Sequence, residues 1–173
     1  MNDKPKSKRE VFETILLVDD EQDIRDVLQM ALTDAGHKVI MAENGEEALA
    51  RYNETRPPIV ITDIKMPVMD GIELLRNIKQ LNTETEVIMI TGHGDMDLAI
   101  RSLKYNATDF ITKPINVDAL EIALRRAQEK ILMRKKLQEY TTHLEALVRE
   151  KTELQDHLSS LGMMIGSISH GIK

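Results

Sequence analysis

Five side chains in this 173-residue sequence have types and spacing that could do chemistry together: Asp19, Asp20, Asp63, Thr91 and Lys113. Each stands at the C-terminal end of a short apolar run. Ile15-Leu16-Leu17-Val18 leads into Asp19-Asp20, Val87-Ile88-Met89-Ile90 into Thr91, and Phe110-Ile111 leads toward Lys113-Pro114. Asp63 opens Asp63-Ile64-Lys65-Met66-Pro67-Val68-Met69-Asp70-Gly71. Three carboxylates brought into one pocket repel each other and stay ionised only when a cation joins them. An all-oxygen set in a hydrated pocket suits Mg²⁺ better than zinc.

The elements that must position these residues alternate. The short runs at 14–19, 38–42, 58–63, 86–91 and 107–112 are rich in Val and Ile, as strands covered on both faces are. Helical patterns occupy 21–35, 45–54, 71–81 and 94–104. Ile24, Val27, Leu28 and Ala31 recur at helical spacing in the first of these. Gly36 sits where a helix end wants positive φ, and Asn44 with Glu47 reads as a capping box. Five β-then-α units predict a doubly wound α/β fold with a five-stranded parallel sheet in the order 2-1-3-4-5. That order puts the ligand site at the switch between strands 1 and 3, where Asp19, Asp20 and Asp63 fall.

Composition narrows the classes. The chain carries 23 Lys+Arg and 29 Asp+Glu, a net charge of −6, and no Cys. The absence of Cys excludes a disulfide framework and fits a reducing cytoplasm. No apolar run reaches the roughly 18 residues that span a bilayer, so no membrane role is expected. Residues 1–11 are charged with no apolar segment behind them and read as a tail rather than a signal peptide. Residues 1–115 have a net charge of −7, which argues against direct nucleic-acid binding through this part. Few aromatics are available to stack on bases.

These motifs, in this order and spacing, resemble the receiver domain of two-component response regulators over roughly residues 12–130. The resemblance implies that Asp63 is a phosphoacceptor taking its phosphoryl group from a phosphohistidine donor. Asp20 and Asp63 would bind Mg²⁺ directly with the main-chain carbonyl of Lys65, and Asp19 would act mainly through water. Lys113 and Thr91 would contact the phosphoryl oxygens. Thr91 and Phe110 would form the switch; Phe110 stands where many relatives have Tyr, so its switching would rest on packing alone. The resemblance also implies a cis bond before Pro114, and Asn106 in place of a more usual Gly, a residue that tolerates left-handed backbone.

Each motif has a plain structural explanation. Asp19-Asp20 alone could cap the following helix. Met66-Pro67 and Asp70-Gly71 alone are turn residues, and His93 alone is a solvated loop histidine. Their conjunction at successive strand ends favours one site.

From about Asn116 the character changes to a long helix former. Leu137, Tyr140, Leu144, Leu147, Lys151, Leu154, Leu158, Leu161, Ile165, Ile168 and Ile172 alternate steps of three and four, a heptad seam with Lys151 as its charged intruder. Leu120, Leu124, Ala127 and Ile131 form an earlier seam in another phase, so the register breaks between Ile131 and Leu137. A helix from 116 to 170 would be roughly 80 Å long. The expectation is a coiled-coil linker over 131–161 and a parallel homodimer through it. Residues 162–173 end in Ser169-His170, which resembles the start of a histidine kinase dimerisation segment. Position f of the heptad would turn His170 to solvent as a second phosphosite. This predicts a fragment of a hybrid histidine kinase. The alternative is the receiver of a DNA-binding transcriptional response regulator, because the Thr91-Gly92-His93-Gly94-Asp95 loop resembles receivers attached to transcription activators.

Overall fold

The computed structural model describes residues 13–171, and side chains through residue 166. The elements are β1 (Ile15–Val18), α1 (Gln22–Asp34), β2 (Val39–Ala42), α2 (Gly45–Thr55), β3 (Ile59–Asp63), α3 (Gly71–Leu81), β4 (Glu86–Thr91), α4 (Met96–Lys104), β5 (Asp109–Thr112) and α5 (Val117–Gly171). The strands are all parallel, in the order β2-β1-β3-β4-β5. This is the expected doubly wound fold. The chain divides into two units between Ile131 and Leu132.

In the first unit the two faces of the sheet build two cores. Leu16, Val18, Val60, Val87 and Met89 pack with Ala48, Tyr52, Leu74, Leu75 and Ile78 of α2 and α3. Ile15, Leu17, Ile59, Ile61, Ile88, Ile90 and Ile111 pack with Leu28 and Leu32 of α1 and with Leu120, Leu124, Ala127 and Ile131 of α5. Neighbouring strand residues face opposite cores, so both must be apolar. That explains why the strands read as continuous runs rather than alternations. Each fully buried Leu or Ile contributes about 1.5–3 kcal/mol by leaving water.

Local chemistry sets the element ends. Gly36 has φ 95 after α1, as expected of a left-handed stop. Asn44 Oδ1 accepts from Glu47 N–H at 2.8 Å, whereas Glu47 Oε2 accepts from Glu43 N–H at 3.1 Å rather than from the cap residue itself. Asp70 Oδ1 likewise accepts from Glu73 N–H at 2.8 Å and opens α3. Two boundaries differ from the sequence reading by more than one residue. Helix α4 begins at Met96 rather than at 94, because Gly94 has φ +86, which no right-handed helix admits. Strand β5 begins at Asp109 rather than at 107, because Asn106 turns left-handed (φ 67) and Ala107 N–H returns to Ser102 O. The second unit, from Leu132, is helical through Gly171. Its stripe is exposed: Leu137, Tyr140, Leu144, Leu147, Leu154, Leu158, Leu161 and Ile165 all face solvent.

Candidate functional site

The strand order changes direction between β1 and β3, and the loops leaving their C-terminal ends cannot cover the gap between them. Asp19 follows β1 and Asp63 ends β3, so both open into that gap. Both are buried, while Asp20 and Glu21 are exposed. Carboxylate oxygens from Asp19, Asp20, Glu21 and Asp63 lie within 4.8 Å of one another. Lys113 reaches this cluster from beyond β5. Its backbone N–H donates to Thr91 O at 2.8 Å, which ties the end of β5 to the end of β4. Its Nζ then donates to Asp63 Oδ2 at 3.2 Å and to Glu21 Oε1 at 3.3 Å. The Lys113-Pro114 peptide is cis, as expected.

Asp19 serves two purposes with its two oxygens. Oδ1 accepts from Glu21 N–H at 2.9 Å, which shapes the entry to α1. Oδ2 is buried without a hydrogen-bond partner; Lys113 Nζ stands 3.6 Å away, an ion-pair distance. An orphaned buried carboxylate oxygen is costly unless something cationic completes it. Arg25 Nη1 donates to Asp19 O at 2.6 Å and so holds the turn from the α1 side.

Electrostatics agree with geometry. Burial pushes the Asp19 carboxyl up to about 6, and the neighbouring charge of Asp63 adds to this. Burial also raises Asp63 above the usual carboxylate range, against the pull of Lys113. For Lys113, burial acts downward, but the carboxylates of Asp63 and Asp19 outweigh it and hold the ammonium above its ordinary value. Crowded carboxylates raised by burial, one with an open oxygen, fit a hard divalent cation such as Mg²⁺.

Thr91 is buried, and its Oγ1 donates to Gly92 O at 3.2 Å. Phe110 is half-buried against the core on the α2–α3 side of the sheet. Lys65 is exposed, and its Nζ pairs with Asp95 Oδ1 at 2.7 Å, joining the β3–α3 loop to the β4–α4 loop. This pair occupies the Asp95 carboxylate, which makes no cap bond to α4. The side chain of His170 and the 1–11 tail lie outside the described residues.

Four contributors were not legible as such in the sequence. Glu21 is the third acid in Asp19-Asp20-Glu21, but its reach to Lys113 bridges 92 positions. Arg25 carries no motif in the sequence, and Asp95 stands there only as the last residue of the Thr91-Gly92-His93-Gly94-Asp95 loop. Gly71 read as a turn residue, yet a Cβ there would lie 2.1 Å from Asp63 O, and its N–H donates to Ile64 O at 2.7 Å. The backbone of Asp63 leaves room at that point for glycine alone. In the same loop Val68 holds φ 71, a rare conformation for a β-branched residue.

A doubly wound α/β domain with an acidic, cation-ready pocket and a half-buried lysine at its switch point is the class these observations define. Residues 15–125 match the response regulator receiver domain, and the chain belongs to that family. It is 41% identical over 117 residues to the C4-dicarboxylate transport transcriptional regulatory protein DctD of Rhizobium meliloti, covering 68% of this chain and 25% of that protein. It is 40% identical over 119 residues to the transcriptional regulatory protein FixJ of the same organism, covering 69% of this chain and 58% of FixJ. Among solved structures, a response regulator receiver domain protein from Clostridium thermocellum superposes with TM-score 0.67 at 37% identity, covering 73% of this chain and 98% of that one. The match thus spans between a quarter and somewhat over half of these two curated relatives. Among the described residues, no helix is long and apolar enough to cross a membrane.

Proposed function

We propose that this chain accepts a phosphoryl group on Asp63 from a phosphohistidine donor, with Mg²⁺ held by Asp20, Asp63 and the Lys65 carbonyl, and Asp19 acting through water. A carboxylate oxygen of Asp63 attacks phosphorus, the N–P bond of the donor breaks, and the departing imidazole takes a proton from solvent. Bound Mg²⁺ would neutralise charge on the transferring oxygens. Lys113 supplies a second positive charge there, and Thr91 a hydroxyl once its bond to Gly92 O is released. Phe110 would follow Thr91, passing the change toward α5. The observation that carries this reading is the Lys113 ammonium set across the mouth of a cluster that includes the orphaned Asp19 oxygen.

The chain's wider context is best read as that of a transcriptional regulator in a reducing cytoplasm. The relatives named above are transcriptional regulators, and they favour this alternative over the kinase-linked reading of Ser169-His170. The acidic receiver itself is not the part that would touch DNA. A parallel homodimer through the heptad stripe of the second unit supplies the two-fold symmetry that paired DNA half-sites demand.

The test is labelling by a small phosphodonor with Mg²⁺. Wild type should take up label and Asp63→Asn should not; undiminished label in Asp63→Asn sinks the assignment. Sequencing the coding region beyond Lys173 decides the context, since a nucleotide-binding kinase domain there would overturn the regulator reading.

A further inference from the structure

We propose that Glu21 is a positioning residue that shares Lys113 with Asp63 and sets the balance between cation and phosphoryl affinity. This rests on the reading of Asp63 as phosphoacceptor. Three carboxylates surround the Lys113 ammonium: Asp63 Oδ2 at 3.2 Å, Glu21 Oε1 at 3.3 Å and Asp19 Oδ2 at 3.6 Å. Asp63 is the acceptor, and Asp19 is fixed in the core. Glu21 is the one with a long, solvent-facing arm, its side chain 61% exposed against 22% for Lys113.

An ammonium has three N–H donors. In the resting state two of them serve Asp63 and Glu21. A phosphoryl group on Asp63 brings several anionic oxygens that compete with Glu21 for this ammonium and draw it away from the Glu21 carboxylate. The charge of Glu21 also repels the arriving anion. Toward a divalent cation the effect has the opposite sign, because Glu21 adds a fourth carboxylate to the 4.8 Å cluster. One exposed side chain therefore tightens the metal and loosens the phosphoryl group.

That opposition is the signature to measure. Mg²⁺ affinity is read by titrating amide chemical shifts around Asp63, and phosphoryl affinity by titrating beryllofluoride at saturating Mg²⁺. Glu21→Gln removes the charge. It should weaken Mg²⁺ and tighten beryllofluoride, each roughly two- to fivefold, the scale of an exposed ion pair. Glu21→Asp keeps the charge but withdraws the arm by one methylene. It should leave Mg²⁺ nearly unchanged while still tightening beryllofluoride.

If Glu21→Gln moves both constants the same way, Glu21 acts on the fold of the loop and the proposal fails. If neither moves, Glu21 is a bystander and the proposal also fails. If wild type itself binds no beryllofluoride, the phosphoacceptor reading falls and takes this one with it, an outcome distinct from normal wild-type binding with an indifferent variant.

Discussion

Leu120, Leu124, Ala127 and Ile131 are at most 8% exposed, whereas Leu137, Tyr140, Leu144 and Leu147 are between 47% and 67% exposed. The two sets belong to the same helix element and have the same kinds of side chain. The first packs on the sheet with β1, β3 and β4; the second has no partner among the described residues. Helix propensity does not distinguish the two segments, because both are rich in good helix formers. What differs is tertiary cover. The first unit covers this part of the helix with its own sheet. The second presents a stripe that nothing among the described residues covers, and a continuous apolar stripe of this kind marks an interaction surface.

The strongest way to break this contrast is to damage the first unit alone. Gly71→Ala puts a methyl group into the Asp63 carbonyl, and the 2.1 Å approach leaves no relaxation that spares the β3–α3 loop. The expected loss is at least about 3 kcal/mol of stability in the first unit, together with loss of phosphorylation. Urea unfolding by a probe in the sheet measures the first effect. A variant as stable as wild type would mean that the loop is far softer than its packing suggests.

The sequence made the first unit legible because each of its devices is local. A Val- and Ile-rich run ending in Asp, an Asn before Gly45 and a Gly after Asp34 each act within a few residues. The reading failed where distant pieces meet. Glu21 reaches Lys113 only because α1 starts one residue later, and Gly71 is required only because α3 folds back on Asp63. The start of α4 was misplaced by two residues since glycine is compatible with either side of a helix boundary. For the second unit, sequence exposes the stripe but not what covers it, because no described residue packs against it.

A smaller effect separates the units by pH. The Asp19 carboxyl titrates near 6 in the folded protein and near 3.8 when unfolded, so the folded state holds the proton more tightly. Without metal, stability is therefore greatest below about 3.8 and falls as pH rises toward 6. The loss is about 3 kcal/mol at most, at roughly 1.4 kcal/mol per pH unit of displacement. Asp63 is displaced in the same direction and steepens the fall. The raised Lys113 contributes fully throughout this window, since its stabilisation is lost only above its folded value. Excess Mg²⁺ should flatten the fall, as a cation competes with these protons. The helical unit has no such buried carboxyl among its described residues and should show no matching transition. Thermal unfolding from pH 4 to 7 with and without Mg²⁺ measures this, and stability that rises with pH in the metal-free protein would contradict the burial of Asp19.

The smallest expected effect probes the second unit. Taking Leu137 as heptad position a places Lys151 at a as well, between Leu147 and Leu154 at d. A lysine in a dimer seam costs stability but restricts the chain to registers in which its ammonium finds a carboxylate. In a parallel, in-register pair the neighbouring g position supplies one, since Glu150 of one copy flanks Lys151 of the other. Lys151→Leu should therefore tighten dimerisation by about 1–2 kcal/mol, roughly tenfold in the dissociation constant, while admitting other registers. Sedimentation equilibrium gives the constant, and disulfide trapping of a single engineered cysteine at Leu154 gives the register. Phosphorylation of Asp63 by a small donor should be unaffected by the substitution, because nothing in the acidic pocket changes. A chain that stays monomeric with either residue at 151 would remove the partner on which the contrast rests and leave the stripe unexplained. Tightening accompanied by mixed registers would instead identify Lys151 as the residue that gives up affinity for a single alignment.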